Sequence, residues 1–333
     1  MMLLASVSDA KLMPVVPNDS YLVVNAQSSY VRSNAKWIID RLVRDYESWM
    51  DAAVKKRLDE MLEERPGLCI GVYEPSHVLV SGEPVRDLIF WSGPLVSMAQ
   101  MVIASIPVMT DGDWFVLVIT ICGTFLAETT GSLPAWACEK WACRRGTHST
   151  FVLTRGNGSP HAILILGNGR SLNLEDLAVA SRTHHGQSDK ITRACLGVLS
   201  MLWILLLVSA AGVASGAIYL LAVGGLGMLH CIFVVGSRRR PSAFGVHLEY
   251  RGVVGDITVM GALLQCEERY PAVGKALLPI SFPGKLLPDE VTQWEALEVG
   301  ARTAAEAQAD AETTEEDCAV ESWTAYARSL QAG

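Results

Sequence analysis

Two Gly-Asn-Gly triplets, in "TRGNGSPHAILILGNGR" from Thr154 to Arg170, are the first place to look for chemistry, because a glycine-rich turn lets backbone amides close around a phosphate. A dinucleotide fingerprint needs Gly-x-Gly-x-x-Gly between a strand and a helix. "GNGRSL" puts Leu172 at the third glycine position, and "GNGSPH" puts Pro160 and His161 where an amide and a glycine are needed. No Walker Lys-Ser or Lys-Thr follows either triplet, and an apolar run begins too soon afterwards for a parallel strand to return. Cys138 and Cys143, in "ACEKWACRR", have a loose zinc-pair spacing but no second pair to complete a tetrahedron. His184-His185 are adjacent, so on a helix or strand their rings point apart, and a solvated loop accounts for them. There is no Gly-x-Ser-x-Gly elbow, and the apolar segments lack paired aspartates that would hold magnesium on a diphosphate. No catalytic, cofactor-binding or metal-ligating residue is assigned, and the reading leans away from an enzyme.

Glu128 and His230 are the ionisable side chains that fall within apolar segments. Counted from Trp114 and Ala217 at the helical rise, both lie roughly 20 Å along their helices, so the two can share one layer. An ionisable group inside a bilayer is costly unless paired, neutral or wet, and this makes the pair a candidate proton relay or polar binding layer. Alternatively the second span ends near Ala127 and Glu128 reaches the interface, the reading the sequence favours.

The elements that would position this pair are apolar helices. Of the 333 residues, 50% are hydrophobic and only 19% charged, more apolar than a soluble domain requires. Leu88 to Met109 is free of charge over a length sufficient to cross a hydrocarbon core. Trp114 to Pro134 forms a second stretch interrupted by Glu128, and Ala194 to Ala211 and Ala217 to Val235 form a helical hairpin. Lys and Arg cluster at Arg86, Lys140, Arg144, Arg145, Lys190, Arg193 and Arg238 to Arg240, while the turns "TDGD" and "GVASG" carry no positive charge. The positive-inside rule then predicts a multi-pass membrane protein with both termini and the central loop in the cytoplasm. The Met1 to Pro14 segment lacks the basic start and long apolar core of a signal peptide, and the sequons at Asn18 and Asn157 are expected to stay unmodified on the cytoplasmic side. The net charge of −8 and the absence of a basic domain argue against nucleic acid. The eight scattered cysteines do not form a disulfide framework; thiols beside basic juxtamembrane residues are also candidates for palmitoylation.

Between the spans, residues 34–64 place Ile38, Leu42, Tyr46, Trp49 and Ala53 on one helical face against Arg41, Arg44, Asp45, Glu47 and Asp51 on the other. The spacing predicts one amphipathic helix, capped by Asn34 and ended at Pro66-Gly67. Thr150 to Thr154 and His161 to Leu166 predict a hairpin around "RGNGSP". "GVHLEYR" alternates like a strand, Asp256 is placed to cap a helix from Ile257 to Tyr270, and Pro271 opens another ending before Pro279. The predicted fold class is an α-helical multi-pass membrane protein, about four transmembrane helices, with a small composite α+β cytoplasmic domain built from the central loop and the post-membrane segment. Its parts are a cytoplasmic N-terminal region (1–87), a first pair of spans (88–135), a loop with a β-hairpin (136–193), a second pair (194–235), a strand-helix-helix region (236–286) and an acidic, disordered tail (287–333).

The blocks "YLVVNAQSSYVRSNAKWIIDRLVRDYE", "GSLPAWACEKWACRR", "LTRGNGSPHAILILGNGRSLNLEDLA" and "HLEYRGVVGD…PGKLLP", in that order, resemble a family of uncharacterised multi-pass integral membrane proteins of filamentous fungi. The resemblance covers most of residues 20 to 290. It implies a fungal membrane protein without catalytic residues to carry over, with an accessory role in a secondary-metabolite pathway as one implication. The expected function is a non-enzymatic interaction or scaffold protein of the membrane. Its expected partners are the lipid bilayer, a protein at the cytoplasmic domain and further copies of itself; Gly93, Ser97, Gly224, Gly225 and Gly227 permit the close helix approach of an oligomeric channel and equally serve ordinary packing. The alternative is an accessory or transporter-like factor handling an apolar metabolite. The two differ at the Glu128 and His230 layer, where a carrier needs a polar cavity and a scaffold does not.

Overall fold

The structure, a computed structural model, describes residues 21–64, 67–133, 143–179, 188–213, 216–284, 286–297 and 299. One half is built on a six-stranded mixed sheet made of β1 (Leu22–Asn25), β2 (Val31–Ser33), β3 (Leu68–Pro75), β5 (Phe151–Thr154), β6 (His161–Ile165) and β8 (Leu248–Asp256), in the order β2-β1-β5-β6-β3-β8. A separate ribbon pairs β4 (Arg145–Thr147) with β7 (Ser171–Leu172). Only β3 and β6 run parallel, with Cys69 opposite His161; the other pairs in the large sheet are antiparallel. The central strands are apolar at nearly every position, the pattern of a sheet covered on both faces. Alternation sends Val23, Cys69, Tyr73, Phe151, Leu153, Ile163 and Ile165 to one face and Val24, Ile70, Val72, Val152, Ala162 and Leu164 to the other.

Helices α1 (Trp37–Arg44), α2 (Tyr46–Trp49), α3 (Ala52–Glu64) and α6 (Leu174–Val179) supply the first cover. Helices α9 (Val259–Arg269) and α10 (Val273–Ser281) supply the second. The domain is therefore a three-layer sandwich, and it draws three strands from the region before the first apolar helix, which sequence reasoning assigned only a helix.

That single helix over 34–64 is broken into three. Asp45 closes α1, and Met50 leaves the helix with extended backbone before Asp51 accepts from the Ala53 amide. The break moves Val54 rather than Ala53 into the core, and it buries Arg41 and Asp45, which the periodicity placed outside. Asn34 forms a turn instead of a cap, accepting from the Lys36 amide; Lys36 itself is the N-cap. Thr258, not Asp256, caps α9 by accepting from the Gly261 amide, while Asp256 ends β8. Pro279 lies within α10 rather than after it. Within the stretch read as a disordered tail, residues 288–297 are helical, and Trp294 is buried with its indole N–H donating to Met260 Sδ at 3.1 Å. The N-terminal residues 1–20, Cys138, His184-His185 and residues 301–333 lie outside the described residues.

The other half is a bundle of α4 (Leu88–Asp111), α5 (Phe115–Gly131), α7 (Ser188–Ala211) and α8 (Ala217–Gly236). Three of these are long and apolar enough to cross a membrane: Leu88–Asp111, Ile191–Ala211 within α7, and Ala217–Gly236. Phe115–Gly131 is apolar but shorter. Asp87 caps α4 by accepting from the Phe90 amide at 2.8 Å, and Gly112 leaves that helix with φ of 70°. Leu95, Met98, Val102, Leu205, Leu221 and Ile232 stay exposed. Apolar surface of that extent is unfavourable in water, and the three long helices are consistent with a membrane location.

Candidate functional site

The Gly-Asn-Gly segment can now be judged as chemistry. Its first triplet is the predicted hairpin turn, with Gly156 and Gly158 at φ of 93° and 84°, the left-handed region that glycine adopts without strain. It borders a hollow of about 180 Å³ that also touches Leu277 and Ser281, and no charged side chain lines it. In the second triplet the amides are already used: Gly167 donates to Thr150 Oγ1, Gly169 to the Thr147 carbonyl and Arg170 to Asn168 Oδ1. Asn168 Nδ2 donates to Glu74 Oε1 and to the Pro75 carbonyl. This triplet is a joint between the ends of β3 and β6 and the β4–β7 ribbon. Glu74 is in turn paired with Arg251, so the polar groups around this triplet are spent on one another and not held open for a phosphate.

A larger hollow with polar groups on its wall lies in the bundle. Closely packed neighbours there are α4 with α8, α4 with α5, and α5 with α7; the consecutive helices α7 and α8 are not a closely packed pair. All four nevertheless contribute walls to one cavity of about 470 Å³. This is within the size range of small-molecule sites. Glycines Gly93, Gly123, Gly224 and Gly227 open the space, and a Cβ added at Gly224 would meet no atom.

Both sequence-derived residues face this cavity. Glu128 lies within α5, three residues before its end. It is exposed in the bundle and is part of the cavity lining. His230, half-buried on α8, shares a hydrogen bond of 2.9 Å with Ser92 Oγ on α4. The same wall holds polar groups that sequence spacing did not single out. Gln100 Nε2 donates to the Val223 carbonyl at 2.9 Å, joining α4 to α8. The Thr120 and Thr124 hydroxyls donate to carbonyls one turn back on their own helix, as threonine does where water is scarce.

Arg239 closes the cavity at the end nearest the sheet domain. Its side chain is 8% exposed, and its guanidinium forks onto Asp87, with Nε 2.9 Å and Nη2 2.7 Å from the carboxylate. Arg239 and Arg41 both stand 5.4 Å from the Phe244 ring centroid. Arg41 in turn donates to the Val235 and Ser237 carbonyls at 2.5 and 2.7 Å, capping the end of α8, and faces Asp45 at 3.5 Å. Asp45 also accepts from the Arg239 amide at 3.3 Å. One buried charge network therefore joins the cavity floor, the first turn of α4, the last turn of α8 and helix α1 of the sheet domain. Arg239 was legible in the sequence only as one of three consecutive arginines; nothing in its spacing distinguished it from Arg238 and Arg240.

Outside the bundle, a buried aromatic cluster packs under the sheet, with Tyr46 Oη 3.3 Å from Tyr73 Oη and the Tyr46 ring 5.1 Å from His161. His161 Nε2 is buried without a hydrogen-bond partner in the structure, and burial foremost, then Arg155, pushes the imidazole below its ordinary value. No opening to solvent serves this cluster, since Tyr46 and Cys69 are fully buried. Among the described residues no group of three or more His, Cys, Asp or Glu side chains converges as metal ligands would.

The fold and the cavity together define a class: a bundle of apolar helices, hollow at its centre, joined by buried charges to a three-layer α/β domain. In comparisons with family models, with curated proteins and with solved structures, nothing matches this chain.

Proposed function

We propose that the chain is a four-span membrane protein, with the sheet domain and both termini in the cytoplasm, that holds an apolar small molecule within its helical bundle. The observation that carries this reading is the 470 Å³ cavity with Glu128 and His230 on its wall, the feature that separates a metabolite-handling factor from a passive scaffold. The orientation rests on the arginines and lysines at the sheet end of every apolar helix and their absence from the "TDGD" and "GVASG" turns. In this reading α5 crosses as the fourth span despite its 17 residues, since a short helix is accommodated by local thinning of the bilayer. The loose α7–α8 pair offers a route into the cavity from the lipid side. The sheet domain, tied to the cavity floor through Asp87, Arg239 and Arg41, is the surface at which occupancy is presented to a protein partner.

The test is a variant that fills the space without disturbing packing. Gly224→Leu places a side chain where an added Cβ meets nothing. Full-length protein purified in lipid nanodiscs is extracted and its small molecules are identified by mass spectrometry. The expected result is a species retained by the wild type and lost from Gly224→Leu, with both proteins eluting as the same monodisperse particle. Identical extracts from the two would sink the binding reading and return the chain to the scaffold class.

A further inference from the structure

We propose that the cavity takes an uncharged amphiphile, a lipid or terpenoid alcohol or ester, with its hydroxyl- or carbonyl-bearing head against Arg239 and its hydrocarbon directed away from the sheet domain. This rests on the reading of the cavity as a binding site and adds the chemistry of what fills it. The argument starts from the donors of Arg239. Nε and Nη2 are spent on Asp87, whereas Nη1 donates to no group among the described residues. An arginine side chain that is 8% exposed and lines the cavity thus keeps N–H groups that no acceptor among the described residues takes, at one end of a largely apolar space. A carbonyl or hydroxyl oxygen there completes its hydrogen bonding.

Net charge decides which acceptor. The positive charge of Arg239 is already balanced by the bidentate Asp87 carboxylate, and Glu128 places a further carboxyl group on the same wall. A carboxylate or phosphate head would compete with Asp87 for a cation that is already paired, in a setting where unbalanced charge is costly. A neutral oxygen acceptor takes the Nη1 donors without that cost. The hydroxyls complete the pattern. Ser92 and Thr124 donate to the carbonyls of Ile89 and Thr120, so what each can offer a ligand is an acceptor lone pair, beside the one that Ser92 Oγ already shares with His230 Nε2. A head that carries an O–H as well as an acceptor oxygen satisfies both kinds of wall. Toward the opposite end of the bundle the lining becomes mainly apolar, with Ile119, Leu206, Ala210, Leu220 and Val223 around a Thr120 hydroxyl whose proton is already spent on the Val116 carbonyl.

The experiment uses full-length protein in nanodiscs and two photoreactive probes of equal chain length, a monoacylglycerol and a free fatty acid, each carrying a diazirine in the chain. The monoacylglycerol probe is expected to label wild-type α4 and α8 peptides, Gly224→Leu is expected to block it, and unlabelled monooleoylglycerol is expected to compete at a concentration at least about tenfold below that of oleate. Arg239→Lys keeps a cation for Asp87 but removes the planar second donor pair, and is expected to reduce labelling by about tenfold. Oleate competing as well as or better than the neutral lipid, or Arg239→Lys labelling like the wild type, overturns the head-group assignment. If neither probe labels the wild type above Gly224→Leu, the reading of the cavity as a site fails instead. Should Arg239→Lys lose the monodisperse particle, Thr124→Val carries the test: it removes one acceptor, and is expected to erase the preference for the monoacylglycerol over its O-methylated analogue, an unchanged preference counting against the proposal.

Discussion

Arg41→Met tests the joint between bundle and domain. The wild-type guanidinium is 3% exposed and donates two short charge-assisted bonds to the Val235 and Ser237 carbonyls, while Asp45 stands 3.5 Å from its Nε. Methionine keeps much of the volume and none of the donors. Leaving two buried carbonyls without a partner costs about 1–3 kcal/mol each, and breaking a buried ion pair about 3–5 kcal/mol. These losses overlap rather than add. Asp45 retains the Arg44 guanidinium at 2.9 Å and the Arg239 amide at 3.3 Å, which moves the net to the lower end, about 3–4 kcal/mol. At about 1.4 kcal/mol per factor of ten, the joint should open two to three orders of magnitude more often. Hydrogen exchange by mass spectrometry reads this directly at the Ala243, Gly245 and Val246 amides, whose bonds close the turn after α8. Arg44→Met is the control. Its side chain is 27% exposed and shares the same Asp45, so a loss below about 1 kcal/mol is expected, and exchange there should change less than about fivefold. Equal protection in both variants would show that Arg41 does not hold the two halves together.

Acid should weaken the sheet domain through His161. Burial lowers its folded-state pKa below the ordinary 6.5, so below about pH 6.5 the unfolded chain takes up a proton that the folded chain refuses. Stability is then expected to fall by up to about 1.4 kcal/mol per pH unit until the folded value is reached, and to be insensitive to this group above pH 7. Urea midpoints of the wild type and His161→Phe between pH 7.5 and 5 check it, and equal slopes in that window would refute the assignment. Gly71→Ala is expected to destabilise the domain by about 1–3 kcal/mol, because the added methyl overlaps the Tyr46 hydroxyl in a fully buried core. A second change, Tyr46→Phe, should recover part of the loss in a denaturation series, and no recovery would place the strain elsewhere.

What could be read from the sequence follows from which signals are local. Runs of apolar residues gave away α4 and α8 within a residue or two, since a charge-free helix of that length has few alternatives. The hairpin was legible because two glycines supply its turn and β-prone residues flank it. Strand β3, "LCIGVYEP", was missed although it is apolar and bounded by prolines, because buried strands lack the alternation by which half-exposed ones are recognised. Arg41 and Asp45 were placed on a solvated face because the pattern of a helix shows its own amphipathicity and not its partner. Their burial comes from the end of α8, almost two hundred residues away. The candidate site was half legible for the same reason. Glu128 and His230 stand out against apolar neighbours, whereas the donors of Arg239 become significant only once Asp87 has taken some of them.

The sheet also sets a schedule for biogenesis. Strand β3 lies ahead of every apolar helix, β5 and β6 follow the first two, and β8 emerges only after the fourth, yet β3 must pair with β6 on one side and β8 on the other. At ordinary rates of synthesis the interval between Pro75 and Leu248 is on the order of ten to thirty seconds. For that time the edge of β3 that β8 will cover is an unpaired, apolar strand edge, held at the membrane surface if the helices cross as proposed. On the proposed four-span reading, a chain in which one helix of either pair fails to cross carries its last strands to the wrong side and never closes the sheet. The order of segments thus makes completion of the soluble domain a report on correct insertion, and leaves misassembled copies marked by an exposed β3 edge that chaperones and proteases can find.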